Sequence, residues 1–202
     1  YMEDYEMAMN QEKLKKEQWR TIINMLGSGG GISGLVVTTK LADGISRLKQ
    51  YIDKGLDGFY VANFNEQGNL SLSKTNQEGK MTKQQKAFLK VLNTLINSSK
   101  PTFIEIVDGD PDAEIGQWST GKLDIGDIAV LGSSDLRLPQ FFSAQGAIAH
   151  EFYEQYQKQV LGETNGEKAH SKTIRAVDNK VNSSTRVELG SFQLRGRTGP
   201  ND

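Results

Sequence analysis

Cysteine is absent from all 202 residues, and with it go disulfides, thiolate metal sites and a cysteine nucleophile. Any metal must therefore be held by nitrogen and oxygen. The lack of cysteine is neutral about compartment and compatible with an oxidising or extracellular setting. Charge of one sign is also scarce, since the formal net charge is only −1. Surfaces that grip phosphates need a basic surplus or a basic stripe. The one local cluster, Lys13, Lys15, Lys16 and Arg20, is interrupted by Glu12 and Glu17 and reads as a solvated helix face. Nucleic acid is not an expected partner. No apolar run approaches the ~20 residues of a membrane span, and no charged-then-apolar leader opens the chain. Its start at Tyr1 rather than at an initiator Met is expected of a piece of a longer protein, with any targeting signal upstream.

What is present suits one globular domain with an extended arm. Hydrophobic residues make up 36% and charged residues 24%, polar for a folded chain but far from disordered. Residues 1–26 read as a helix with an intermittent apolar face of Met7, Leu14, Trp19, Ile22, Ile23 and Leu26. The run Gly27-Ser28-Gly29-Gly30-Gly31 then reads as a linker. It lacks the Lys-Ser/Thr of a phosphate-binding loop, and no strand precedes it. A helical arm with its linker over 1–31 and an α+β domain over 32–202 follow.

Within that domain, residues 35–39 form a short strand and 42–54 a helix with Ile45, Leu48, Tyr51 and Ile52 inward. Residues 58–64 and 70–73 make a hairpin around Asn65-Glu66-Gln67-Gly68-Asn69. The apolar spacing over 82–97 predicts a helix, with Thr82 as N-cap. Strands are expected over 102–107 and 123–131, the second with Gly126 at a bulge. Helices are expected over 143–161 and 166–182, and a last strand over 186–194. Without regular βαβ alternation, the class is α+β, a small antiparallel or mixed sheet packed against helices.

The chain has only two histidines, His150 and His170. The first opens His150-Glu151-Phe152-Tyr153-Glu154, an H-E-x-x-E pattern. Residues i and i+4 share a helix face, so His150 and Glu154 project side by side. That is how one helix offers two ligands to one metal in H-E-x-x-H hydrolases, where the intervening Glu takes a proton from water. A carboxylate is a legitimate zinc ligand, so His150, Glu154 and the distant His170 make a His₂Glu set with one position open. Gly162 and Gly166 allow the chain to reverse and bring His170 back. Glu151 lies about 100° around the helix, where a general base belongs.

The competing reading is an ordinary amphipathic helix with His and Glu at its surface. Small apolar Gly146-Ala147-Ile148-Ala149 speaks against it, as does the second histidine following on the next helix. Asp124 and Asp127 either orient a metal-held imidazole by accepting its other N–H or face solvent from an edge strand. Tyr153 is placed either to donate to an oxyanion of the substrate or to pack at the rim. The acidic run Asp108-Gly109-Asp110-Pro111-Asp112-Ala113-Glu114 alternates like a calcium loop but lacks its sixth-place glycine and closing Glu. It reads as an acidic turn.

Asp124-Ile125-Gly126-Asp127-Ile128, then Ala149-His150-Glu151-Phe152-Tyr153-Glu154-Gln155-Tyr156 and Ala169-His170, resembles the C-terminal zincin-like metallopeptidase toxin domains of Bacteroidetes RHS-repeat polymorphic toxins. The resemblance spans about residues 100–182 and departs from the H-E-x-x-H of ordinary zincins at Glu154. It implies a zincin-like fold. It also implies a toxin module on a large secreted or contact-delivered protein, acting on a protein substrate in a target cell and neutralised by an immunity protein. Three functions stand open from the residues. The first is a zinc-dependent hydrolase, foremost a peptidase, with Glu151 as general base. The others are a metal-free zincin-like interaction module and a nuclease toxin using the acidic cluster.

Overall fold

The structure, a computed structural model, describes residues 33–131 and 143–182. The expected helical arm, the Gly-rich linker and the strand at 186–194 lie outside the described residues.

The described chain is α+β with a small mixed sheet. Strand β1 (Gly34–Thr39) leads into helix α1 (Gly44–Leu56), and the hairpin β2 (Tyr60–Phe64) and β3 (Leu70–Lys74) follows. Helix α2 (Lys83–Ile96) returns the chain to β4 (Pro101–Val107), which lies parallel to β1 from Gly34 opposite Pro101 to Thr39 opposite Ile106. A parallel neighbour needs a long crossover, and α1, the hairpin and α2 supply it. Strand β6 (Lys122–Asp124) continues the sheet parallel to β4, and two-residue β5 (Gly116–Gln117) closes its edge antiparallel to β6.

The helices form where the sequence places their signals. Thr82 accepts from the Gln85 N–H at 3.1 Å while the Gln85 side chain accepts from the Thr82 N–H at 2.8 Å. This reciprocal box starts α2, and losing such a cap typically costs ~1 kcal/mol. Behind it Phe88, Leu92 and Leu95 are buried with Leu48, Ile52 and Leu56 of α1 and Leu35, Ile104 and Ile106 of the sheet. Each such side chain contributes about 1.5–3 kcal/mol relative to exposure.

One expected strand is replaced. Residues 123–131 are a strand only to Asp124, and helix α3 (Ile125–Val130) takes over. The Asp124 carboxylate accepts from the Gly126 and Asp127 N–H groups at 2.9 and 3.2 Å, capping the helix start. The alternation of Leu123, Ile125, Asp127 and Ala129 mimics a strand, but capping favours the turn. Gly126 is thus no bulge. A Cβ there would overlap the Asp108 carboxylate.

The acidic run after β4 is a turn with much of its charge matched. Asp108 pairs with Arg47 and Asp110 with Lys122, both at 2.6 Å. These bonds join the turn that follows β4 to α1 and to the start of β6.

The last elements carry the histidines. Helix α4 (Ala144–Gln159) packs on β4 and α2, and helix α5 (Gly166–Thr173) folds back against α4. The reversal uses Gly162 at φ 73°, a conformation open to glycine without penalty. Asn165 then caps α5 by accepting from the Lys168 N–H at 2.9 Å. Beyond α5 the helix widens into a π turn (Ile174–Asp178) and ends as α6 (Asn179–Val181). The helix expected over 166–182 is present, with one wide turn that the sequence does not announce.

Candidate metal centre

Helix α4 is buried along most of its length, from Ala144 through His150, Phe152 and Glu154 to Gln157. Small residues over its first turns let neighbours approach closely. A Cβ at Gly146 would overlap the Asn182 amide. Asn182 in turn accepts from the Ser143 N–H at 3.0 Å and the Ser143 hydroxyl at 3.1 Å. The start of α4 is thereby fastened to the end of α6.

Glutamines fasten the rest of α4. Gln159 donates to Phe103 O at 2.9 Å and accepts from the Phe103 N–H at 2.8 Å, extending β4 where β6 does not reach. Buried Gln157 donates to Ala169 O at 3.0 Å and to the Thr173 hydroxyl at 2.7 Å. That carbonyl immediately precedes His170, so the bond sets the height of α5 against α4.

The three expected ligands meet. His150 Nε2 lies 2.8 Å from Glu154 Oε1 and 3.0 Å from His170 Nδ1, and His170 Nδ1 lies 2.7 Å from Glu154 Oε1. The imidazole rings stand edge to face, 4.7 Å apart at 64°. His150 and Glu154 are 4% and 6% exposed, whereas the His170 side chain is 47% exposed. The triangle is therefore closed on the α4 side and open to solvent beside His170.

This donor set fits a cation. The Nδ1 of His150 faces Asp178 Oδ1 at 2.9 Å, so a proton there leaves Nε2 of the neutral ring as an acceptor. Three acceptor atoms then converge on one point, an arrangement stable only around protons or a metal ion. Ligands about 2.0–2.1 Å from a tetrahedral zinc stand roughly 3.3 Å apart. The observed spacings approach that value within a fraction of an ångström. The buried His/Glu/His group is close enough to hold a metal ion.

Electrostatics shows the same demand for positive charge. Burial opposes a charged His150, but its bonds to Asp178 and Glu154 outweigh burial and raise its pKa from 6.5 to about 10. Burial likewise opposes a charged Glu154. The hydrogen bonds from His150 and His170 prevail and hold its carboxyl below the usual carboxylate range. The carboxylates of Asp178 and Glu154 thus favour positive charge on the imidazole between them.

Glu151 stands apart from the triangle. Its carboxylate lies directly over Gly116 of β5, where a Cβ would overlap it, and its charge also favours the imidazolium of His150. Gly116 is presented by an unusual turn. Its N–H donates to Glu114 O at 2.6 Å, closing a three-residue loop with Ile115 at φ 61°. A β-branched residue in that region is strained. Asp127 accepts from the Ile115 N–H at 3.2 Å and Ile115 O accepts from the Asp124 N–H at 2.8 Å, which hold the turn.

Asp124 and Asp127 therefore do not orient an imidazole through the bonds they make. Asp124 is fully buried, capping α3 and accepting from the Asp110 N–H at 2.7 Å, and so it does not face solvent either. The carboxylate that meets the His150 ring is that of Asp178, at 2.9 Å from Nδ1, a residue the sequence does not single out. Tyr153 is half-buried against the core, its ring 5.8 Å from that of Tyr156.

Compared with known proteins, the chain matches no family model, no curated protein and no solved structure. Its chemistry is thus read from the residues alone. Among the described residues, no helix is long and apolar enough to cross a membrane.

Proposed function

We propose that this chain is a zinc-dependent hydrolase whose metal is held by His150, Glu154 and His170. The observation that carries the proposal is the convergence of all three donor atoms within 3.0 Å of one another on two packed helices. Two imidazoles and one carboxylate make the nitrogen and oxygen set of catalytic zinc, which keeps one position for water or substrate. Zinc held there supplies Lewis acidity and makes water a nucleophile near neutral pH.

The chain's own residues supply the rest. His150 would hold the metal through Nε2, since Asp178 meets Nδ1, and His170 would hold it through Nδ1. Glu154 neutralises part of the metal's charge. Glu151, one residue past His150 and outside the ligand triangle, would take the proton from the attacking water and pass it to the leaving group. General-base help of this kind is worth ~10²–10⁴ in rate. Gly116 leaves room for the Glu151 carboxylate.

The resemblance to zincin-like toxin domains of RHS-repeat proteins extends the proposal to a peptidase. In that reading the substrate is a protein of a target cell. The chain is the effector part of a secreted or contact-delivered protein, held inactive in its producer by an immunity protein. The small mixed sheet beside a buried helix bearing the ligands is compatible with a zincin-like fold.

One observation favours a second reading, a metal-free interaction module. With His150 protonated, Asp178, His150, Glu154 and His170 form a continuous hydrogen-bonded chain that needs no ion. Elemental analysis of protein purified without chelator separates the two. About one zinc per chain, lost in His150→Ala, supports the hydrolase. Absence of any transition metal, with a melting temperature indifferent to added zinc, supports the interaction module.

A further inference from the structure

We infer that Asp178 is a positioning residue for the metal ligand His150, and that the π turn at Ile174–Asp178 brings it to that task. The inference rests on the proposed zinc site and adds a residue and a backbone device to it.

The geometry is specific. Asp178 is fully buried and accepts at 2.9 Å from the Nδ1 side of the His150 ring. Glu154 and His170 meet the opposite nitrogen, Nε2. The imidazole is thus held between a carboxylate on one side and the ligand triangle on the other. A carboxylate there fixes the tautomer with the proton on Nδ1, fixes the ring plane, and makes Nε2 a better donor.

The widened turn explains how α5 and its extension supply both His170 and Asp178. Eight residues separate them. At about 100° per residue an ordinary α-helix would rotate Asp178 roughly 80° away from His170. The Asn179 N–H reaches back to Ile174 O, five residues earlier. Such a π turn absorbs about one extra residue. Seven effective steps come within roughly 20° of two complete turns. Both side chains therefore face α4 on one line, with His150 between them.

Alternative tasks for the wide turn are less well supported. It is not imposed by proline, since residues 174–178 contain none. It also lies between helix segments already joined to α4 through Gln157 at one end and Asn182 at the other. An irregular turn between two fixed segments trades regular spacing for the alignment of one side chain. Asp178 is the buried carboxylate whose alignment changes, and Val181 and Asn182 shift with it.

The test is a chelator-competition titration with zinc itself on wild type, Asp178→Asn and Asp178→Ala. Parallel measurements are the metal-free melting temperature and the imidazole N–H resonance of His150. Expected is a 10- to 100-fold loss of zinc affinity in Asp178→Ala. A smaller loss is expected in Asp178→Asn, whose amide oxygen still accepts from Nδ1. The slowly exchanging Nδ1–H signal should survive in the amide variant and disappear in the alanine variant. Deleting Ala176, which restores ordinary spacing, should weaken zinc as Asp178→Ala does in a chain that keeps its helical circular dichroism. Wild-type affinity in Asp178→Ala overturns the positioning role while leaving the zinc site intact. Wild-type affinity in the deletion overturns the register argument. Failure of the wild type to bind zinc removes the hydrolase reading itself, and this inference with it. Should the deletion not fold, the two point variants decide the positioning role of Asp178, on which the register argument depends.

Discussion

His170 Nδ1 lies 2.7 Å from Glu154 Oε1, although the two residues belong to different helices joined by a reversing loop. The approach depends on α5 docking at one height on α4, and buried Gln157 sets that height through Ala169 O and Thr173. The ligand set is therefore a property of packing as well as of sequence spacing.

The first prediction concerns metal content. Wild-type protein purified without chelator should carry about one zinc per chain, and His150→Ala or His170→Ala should each lose it. The chain has no cysteine and no third histidine, so nothing of like affinity can replace a lost imidazole. Elemental analysis and zinc-dependent melting measure this directly. Retention of zinc by both alanine variants would place the metal elsewhere.

Much of this was legible before the fold was known. The i,i+4 spacing of His150 and Glu154 needs only helix geometry, and Gly162 announces the reversal that returns His170. Asp178 was not legible. On a regular helix it points away from His170, and only the wide turn at Ile174–Asp178 brings it to His150. The strand-like alternation over 123–131 misled for a different reason. Asp124 caps a helix start there, and a single capping carboxylate outweighs a short alternating pattern. Asp124 and Asp127 three residues apart, with acid in the first turn, are the signal that could have shown it.

The second prediction follows from the proton that the metal-free site retains. His150 is raised to about 10 from 6.5, so its stabilising contribution is full below its unfolded value and is lost as pH rises toward 10. Glu154 is depressed below its ordinary 4.5, so its contribution is present above that value and lost as pH falls through the folded pKa. The melting temperature of chelator-stripped protein should therefore be highest between about 4.5 and 6.5, as far as these two groups govern it. Zinc must displace the His150 proton. Binding at pH 7 should release protons, seen as a dependence of calorimetric enthalpy on buffer ionisation heat. Zinc-induced stabilisation should grow from pH 6 to pH 8. An enthalpy independent of buffer would contradict displacement of a proton.

A third prediction separates base from ligand. Glu151→Gln should keep zinc and fold but lose activity by ~10²–10⁴, because the amide keeps the shape and lacks the basic oxygen. Glu154→Gln should lose zinc affinity first, since it removes a charged ligand. The assay is growth arrest on expression in a susceptible cell, followed by a search for cleaved host proteins. Equal toxicity of wild type and Glu151→Gln would show that this glutamate is not the base.

Gly116 supplies the last prediction. A methyl group there would overlap the Glu151 carboxylate, and backbone movement is restricted on both sides. On one side the Ile115 turn is closed by the Gly116 N–H to Glu114 O bond and held by Asp127. On the other, β5 pairs with β6 from Gly116 opposite Leu123 to Gln117 opposite Lys122. Relief must then come mainly from Glu151 swinging away, because a side chain on a helix surface moves more easily than a paired strand. Gly116→Ala should therefore cost little stability, on the order of 0.5 kcal/mol, and should reduce activity without reducing zinc content. The ligand triangle lies on α4 and α5 and does not include β5, so zinc titration should be unchanged within a few-fold. A combined Gly116→Ala, Glu151→Gln variant should be no less active than Glu151→Gln alone, because both changes remove the same carboxylate from its place. Additive losses of activity in the double variant would show that Gly116 acts on the site by some route other than Glu151.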